Sequence, residues 1–189
     1  MQDHRQGTMF RSVSAVAALM LSCGLAQAEV RHVTLAPPAV AVAFRAYGMG
    51  LFPLDGNFTR FAGILTYDDQ QAGVCRVDLQ VVVASLAMSN QGIRDDLIGP
   101  EFMNAAQFPT LRFQGACQGA DLAGDLAMHG QTHSFKLELS PEGHSITAQG
   151  RLRRAEWGIT GRPLVGGSTA RITVEVPLPT AWPPAGSSR

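Results

Sequence analysis

"CRVDLQVVVAS", residues 75–85, alternates with a period of two: Cys75, Val77, Leu79, Val81 and Val83 share one face, and Arg76, Asp78 and Gln80 the other. Successive side chains of an extended chain point to opposite faces, so the pattern predicts a strand with one buried and one wet face. The same period continues on both sides. Upstream, Val40, Val42, Phe44 and Ala46 share a face; Gly48-Met49-Gly50 and Pro53 to Gly56 interrupt; "FAGILTYD" resumes with Phe61, Leu65 and Tyr67 inward. Downstream, the inward sets are Leu111 and Phe113; Leu122, Leu126 and Met128; Phe135, Leu137 and Leu139; Ile146, Ala148 and Leu152; and Ile172, Val174 and Val176. The turn-rich stretches "DDQQAG", "QGAD", "HGQT" and "PEGH" separate most of them. Regular short strands with hairpin-length connections predict an all-β fold. About eight meandering strands close best as an antiparallel barrel, because closure removes the exposed edges. A barrel of this size can enclose one small or slender ligand.

One pairing fixes a register. If Cys75 faces Cys117 on the next antiparallel strand, Leu79 faces Phe113 and Val81 faces Leu111, all on the inward phase. The reading therefore predicts a Cys75–Cys117 disulfide, against the alternative of two buried thiols. Between these strands lies "IRDDLIGPEFMNAAQFPTLRF", residues 93–113. Asn90 or the Asp95-Asp96 pair can start a short helix and Gly99-Pro100 interrupts it, so a helical insertion is expected near residues 93–106. Phe102, Met103 and Phe108 have no strand face of their own. They are expected to form a lid across the end of the barrel away from the cysteines, with Arg94 and the acids outside.

The N-terminus reads differently. Arg5 and Arg11 precede the apolar, small-residue run "SVSAVAALMLSCGLAQA", which ends in Ala26-Gln27-Ala28. This is the pattern of a cleaved secretory signal over residues 1–28, and the run is short for a membrane span. Met20-Leu21-Ser22 is a poor approach to lipidation of Cys23. Removing 28 residues from 189 leaves about 161, within the size of one domain. Residues 29–39 are expected to be an extended lead-in, since Pro37 and Pro38 exclude a helix. Residues 40–178 would form the barrel, and 179–189 a disordered tail. The chain carries 15 Lys+Arg and 15 Asp+Glu. That balance offers no overall basic surplus for nucleic acid or an anionic membrane, and no later run is apolar enough for stable membrane insertion. A homodimer stays open.

The predicted inward face is apolar. Phe44, Phe61, Leu65, Tyr67, Val77, Leu79, Val81, Val83, Leu111, Phe113, Leu126, Met128, Phe135, Leu137, Leu152, Ile172 and Val174 are its candidate cavity-lining residues. A barrel packed solid and a cavity for an apolar molecule both fit this pattern. Small residues on the inward phase (Gly63, Gly115, Gly124, Ala148, Gly150) favour the cavity by leaving room.

Several stretches occur in an order that resembles the YceI-like proteins. They are Gly56, Phe58, Phe61 and Gly63; Arg94-Asp95; Phe102 with Asn104-Ala105; Phe108-Pro109 and Phe113; Gly124-Asp125-Leu126; Gly130; and Arg154 with Trp157-Gly158. The resemblance covers residues 40–178. It implies a lipocalin-like antiparallel barrel in the bacterial periplasm, with an apolar tunnel for a polyprenyl or quinone-like isoprenoid lipid. The family often has His or another polar residue where Gly48 stands, so a head-group contact from that position is lost here.

Catalytic readings fare poorly against this background. Among the inward residues, acids, bases and nucleophiles do not converge, so no enzyme and no catalytic residue is predicted. His129 and His133 bracket a turn without a third ligand nearby, so no metal site or cofactor is expected. Asp95 and Asp96 read as partners of a helix start. Ser85 and Ser168 lack a His and an acid. Asn57-Phe58-Thr59 fits a glycosylation pattern that a bacterial source leaves idle. Arg154, on the inward phase, is expected to close one barrel end against Glu156 or an acid of the 93–113 loop, or else to meet a ligand phosphate. The expected function is non-catalytic binding of a long apolar isoprenoid lipid in the barrel cavity. The alternative is an interaction or stress- or redox-associated module whose barrel is a packed core.

Overall fold

Eleven strands follow one another along a single antiparallel sheet in the order β1-β4-β5-β7-β8-β9-β10-β11-β2-β3-β6. They are β1 (Val30–Leu35), β2 (Ala41–Gly48), β3 (Phe52–Phe58), β4 (Phe61–Asp68), β5 (Cys75–Val82), β6 (Leu86–Ala87), β7 (Thr110–Gln118), β8 (Asp121–Met128), β9 (Gln131–Glu142), β10 (Ser145–Arg153) and β11 (Thr169–Pro177). Among the described residues one α-helix, α1 (Gln91–Ile98), lies between β6 and β7. This computed structural model describes residues 30–48, 51–68, 71, 73–161 and 168–182. The predicted signal segment, Cys23 included, lies outside the described residues.

Only Thr59 and Arg60 separate β3 from β4, and one 3-10 turn (Val83–Ser85) separates β5 from β6. Phe61 pairs with Val81, and beyond the bend Phe58 pairs with Leu86. These four strands are thus one long bent hairpin. Its β4–β5 half borders β7 and its β3 half borders β2. The sheet curls into a half-barrel around the core, and the hairpin carries the chain from one side to the other. Counting each bent strand once, nine strands surround the core, one more than the alternation predicts, because β1 joins them. The bend is held by Ser85, the one buried polar residue among those described. Its hydroxyl donates to the Val82 carbonyl (2.7 Å) and accepts from the Arg60 N–H (3.1 Å). Its carbonyl accepts from the Thr59 N–H and hydroxyl (3.1 and 3.0 Å).

Two strands depart from the sequence reading. β1 occupies the stretch expected to be an extended lead-in. It pairs with β4 from Val30 opposite Asp68 to Leu35 opposite Gly63. Leu35 is 2% exposed, a burial worth roughly 2 kcal/mol. β3 runs through Pro53 and Gly56, residues that read as an interruption. Pro53 is tolerated because its stretch of β3 pairs only with β2, while β6 reaches no further than Asn57. At Gly56 the Phe44 ring fills the side-chain space: a Cβ there would lie 2.5 Å from Phe44 Cε1.

The other inward glycines do a similar job, which corrects the expectation that they open a cavity. A Cβ on Gly63 would stand 2.3 Å from the Asp78 carbonyl oxygen, and one on Gly124 would stand 2.1 Å from that of Gln114. Gly150 is covered by Leu137 and Phe135, and Gly115 by the Phe113 ring. Gly115 and Gly124 face each other across β7 and β8. These positions let backbones and rings approach closely where the sheet curves.

The register of β5 on β7 is the predicted one, with Leu79 opposite Phe113 and Val81 opposite Leu111. Cys75 and Cys117 are disulfide-bonded, with Cα atoms 4.9 Å apart. Beside them the chain end is packed for part of the expected tail. The Tyr67 hydroxyl lies 2.9 Å from Thr180 Oγ1, and Trp182 stacks on the Tyr67 ring at 5.2 Å. Residues 183–189 lie outside the described residues.

Candidate functional site

The half-barrel encloses a cavity of about 180 Å³. Of the predicted lining residues, Phe44, Leu79, Val81, Leu111, Phe113, Leu126, Met128, Phe135, Leu137, Leu152, Ile172 and Val174 face it. Val42, Ala46, Leu54, Phe58, Leu86, Leu97, Ile159 and Ala170 also line it and were not among those expected. Val42, Ala46 and Ala170 stand on strand faces whose phase was legible. Leu54 and Phe58 come from β3, and Leu86 from the two-residue β6, where period-two reading has too little to work on.

A second apolar space of about 40 Å³ lies toward the disulfide end, bounded by Leu65, Val77, Cys75, Ile146, Val176 and Trp182 among others. Leu79, Phe113, Leu137 and Val174 border both spaces. They form a waist between a larger chamber at the α1 end and a smaller one at the disulfide end. Three predicted lining residues border neither chamber. Phe61 and Val83 are buried where the hairpin bends, and Tyr67 is engaged by Thr180 and Trp182.

The α1 end is closed by the connection from β6 to β7. Asn90 caps α1, its side-chain oxygen accepting from the Ile93 N–H at 3.1 Å, and the helix ends at Gly99. Arg94 does not stand outside as expected. It donates to the carbonyls of Leu86 and Ala84, each at 2.8 Å, and pairs with Asp95 at 2.7 Å. It thereby fastens the helix to the bent hairpin. Asp95 and Asp96 lie in the second half of α1, so they are not partners of its start. Of the three expected lid residues, Phe102 and Met103 line the cavity. Phe108 does not: its ring packs 4.5 Å from that of His129 and covers Gly130.

Every lining residue of the larger chamber is apolar except Arg154. Arg154 donates to the Gly161 carbonyl at 2.6 Å and lies over the Phe102 ring. Glu156, one expected partner, instead lies 3.8 Å from Arg153. Next to it Trp157 is 1% exposed, and its indole N–H donates to the Leu126 carbonyl at 3.2 Å. His129 and His133 are not merely a solvated turn. His129 Nδ1 lies 3.0 Å from the Trp157 carbonyl oxygen, and the His133 ring meets the Trp157 ring edge-on at 5.3 Å. Among the described residues no three His, Cys, Asp or Glu side chains cluster to hold a metal. Ser85, a nucleophile by type only, is committed to the strand bend.

Such a chamber offers dispersion and desolvation, with one cation at its rim. Apolar walls cannot hydrogen-bond water, so they favour an apolar occupant.

Known proteins share both sequence and architecture with this chain. The YceI-like domain matches residues 33–179, slightly more than the 40–178 read from the resemblance. A UPF0312 protein of Yersinia pestis (strain Pestoides F) is 28% identical over 142 residues, covering 72% of this chain and 71% of the relative. Among solved structures, BcnA of Burkholderia cenocepacia superposes with a TM-score of 0.60 at 17% identity, covering 72% of this chain and 94% of that one. A polyisoprenoid binding domain from Saccharophagus degradans, implicated in plant cell wall breakdown, gives a TM-score of 0.53 at 12% identity, covering 81% and 100%. At these identities the two structures speak to the fold alone.

Proposed function

The chain belongs to the YceI-like domain family, and from that premise we propose that it is an exported, non-catalytic carrier of a long apolar isoprenoid lipid held in the half-barrel. The observation that carries this reading is the composition of the larger chamber, apolar throughout but for Arg154. Each buried CH₂ contributes about 0.8 kcal/mol, so a few isoprene units bind usefully without a polar contact. The fold's likeness to a polyisoprenoid binding domain supports the same ligand class. Export to the periplasm is supported by the signal pattern of residues 1–28 and by the Cys75–Cys117 bond, since disulfides persist in oxidising compartments. With Gly48 in place of a polar residue, the tail rather than the head group supplies the affinity.

Native mass spectrometry and organic extraction of the purified protein test this. A co-purifying isoprenoid, or a rise in melting temperature with added polyprenol, is the expected result. If nothing co-purifies and polyprenol leaves the melting temperature unchanged, the carrier reading fails and the barrel is a packed core for an interaction module.

A further inference from the structure

The β2–β3 hairpin extends past the rim of the barrel. Ala46 and Leu54 face each other across it and line the cavity. One pair further on, Tyr47 faces Pro53, and then Gly48 faces Phe52. Phe52 follows the inward phase of Leu54, yet it is 62% exposed. Leu51 is 77% exposed and Tyr47 47%. Three large apolar or amphipathic side chains thus crowd one protruding tip, beside the cavity's α1 end.

Behind this tip the outer face of the sheet is basic. Arg151 of β10 faces Arg171 of β11, and Arg171 faces Arg45 of β2. Like charges directly opposite on a sheet are unfavourable, so such a row calls for an anion. Asp55 neutralises Arg45 at 2.6 Å, and Glu156 stands 3.8 Å from Arg153. Among the described residues, Arg151 and Arg171 are in no ion pair. Tyr47 lies two residues beyond Arg45 toward the tip, and Arg153 lies two beyond Arg151. At the strand rise the arginine row is therefore about 7–10 Å behind the tip.

We propose that this end of the protein docks on an anionic phospholipid bilayer. Leu51, Phe52 and Tyr47 enter the boundary between head groups and acyl chains, and the arginine row meets lipid phosphates. Apolar anchors at interfaces sit about 5–10 Å deep, which matches the offset between tip and row. Aromatic side chains with one wet end suit that boundary, and arginine pairs bidentately with phosphate. The docked orientation turns the α1 end of the cavity toward the bilayer. The proposal concerns the outer surface and stands apart from what the cavity holds.

Flotation of the protein with phosphatidylcholine vesicles, with and without phosphatidylglycerol, tests it. Recruitment is expected only with the anionic lipid, and it should weaken as salt rises. The R151Q/R171Q double variant should bind roughly 30-fold more weakly, at about fivefold per arginine. L51S/F52S should also lose recruitment. All four positions are exposed, so folding is checked simply by an unchanged melting temperature. Absence of wild-type recruitment overturns the proposal. So does retention of binding in R151Q/R171Q. Loss in the arginine variant with full retention in L51S/F52S also overturns it, since the tip then does not enter the bilayer and the attachment is surface adsorption alone.

Discussion

The guanidinium carbon of Arg154 lies 5.4 Å from the centre of the Phe102 ring. This contact joins the corner after β10 to the connection between β6 and β7, and both residues line the larger chamber. A cation over a ring contributes about 0.5–2 kcal/mol, so the pair latches the α1 end without sealing it covalently.

Phe102→Ala is therefore expected to speed exchange of a fluorescent polyprenyl analogue several-fold, at a stability cost of about 3 kcal/mol for the lost burial. Phe108→Ala should leave exchange unchanged, because Phe108 packs on His129 outside the chamber. Stopped-flow displacement of the analogue separates them. Equal rates in wild type and Phe102→Ala would remove Phe102 from the latch.

Phe113 stands at the waist between the chambers, in edge-on contact with Phe135 at 6.3 Å between ring centres. Phe113→Leu, a milder truncation than alanine, should join the chambers and lengthen the preferred chain. Competition among polyprenols of graded length, read by native mass spectrometry, reports the shift. An unaltered length profile would mean that occupants never reach the waist.

The Cys75–Cys117 bond closes a separation of 42 residues. Chain-entropy reasoning gives about 4 kcal/mol as an upper value for its stabilisation. The double Cys→Ser variant should show a lower denaturation midpoint and a steeper slope, because the unfolded chain without the cross-link exposes more surface. Unreduced mass spectrometry of the wild type should find neither Cys75 nor Cys117 as a free thiol.

Asp78 accepts from Arg112 Nε and Nη2 at 3.0 and 2.6 Å and from the Gln114 amide at 2.9 Å. The hydrogen bond from Arg112 is the main cause that holds its carboxyl below the usual aspartate range, with Gln114 adding to it. A lowered folded-state pKa contributes stability that is present above the unfolded value and lost as pH falls through the folded one. The effect thus belongs to the acid side of about pH 4, and exposure and salt keep it small. Carboxyl NMR titration should find Asp78 below an ordinary aspartate, and Arg112→Gln should bring it back up.

How much of this was legible depends on which residues carry a period. On β5 and β7 every second residue is apolar over a long run, and a single cysteine pair sets the register. The barrel wall and most of the lining follow from that. β1 reads poorly because its inward residues are few and its partner, β4, is known only once the chain is folded. β3 is hidden by Pro53 and Gly56, each acceptable for a tertiary reason: a free strand edge and the Phe44 ring. The inward glycines mislead for the same cause, since a missing side chain marks a near neighbour as readily as a void. Phe108 and Arg94 look alike for any loop until their partners, His129 and the Ala84 and Leu86 carbonyls, are in place. The exposed β2–β3 tip and its arginine row fall on strands read correctly or in part, but cross-strand adjacency is needed to see them.

Ser85 fixes more than a bend. The one bent hairpin that it holds runs from the disulfide end to the α1 end. A loosening at the bend would be felt at both chambers together. Hydrogen exchange in a Ser85→Ala variant should therefore rise on both sides of the bend.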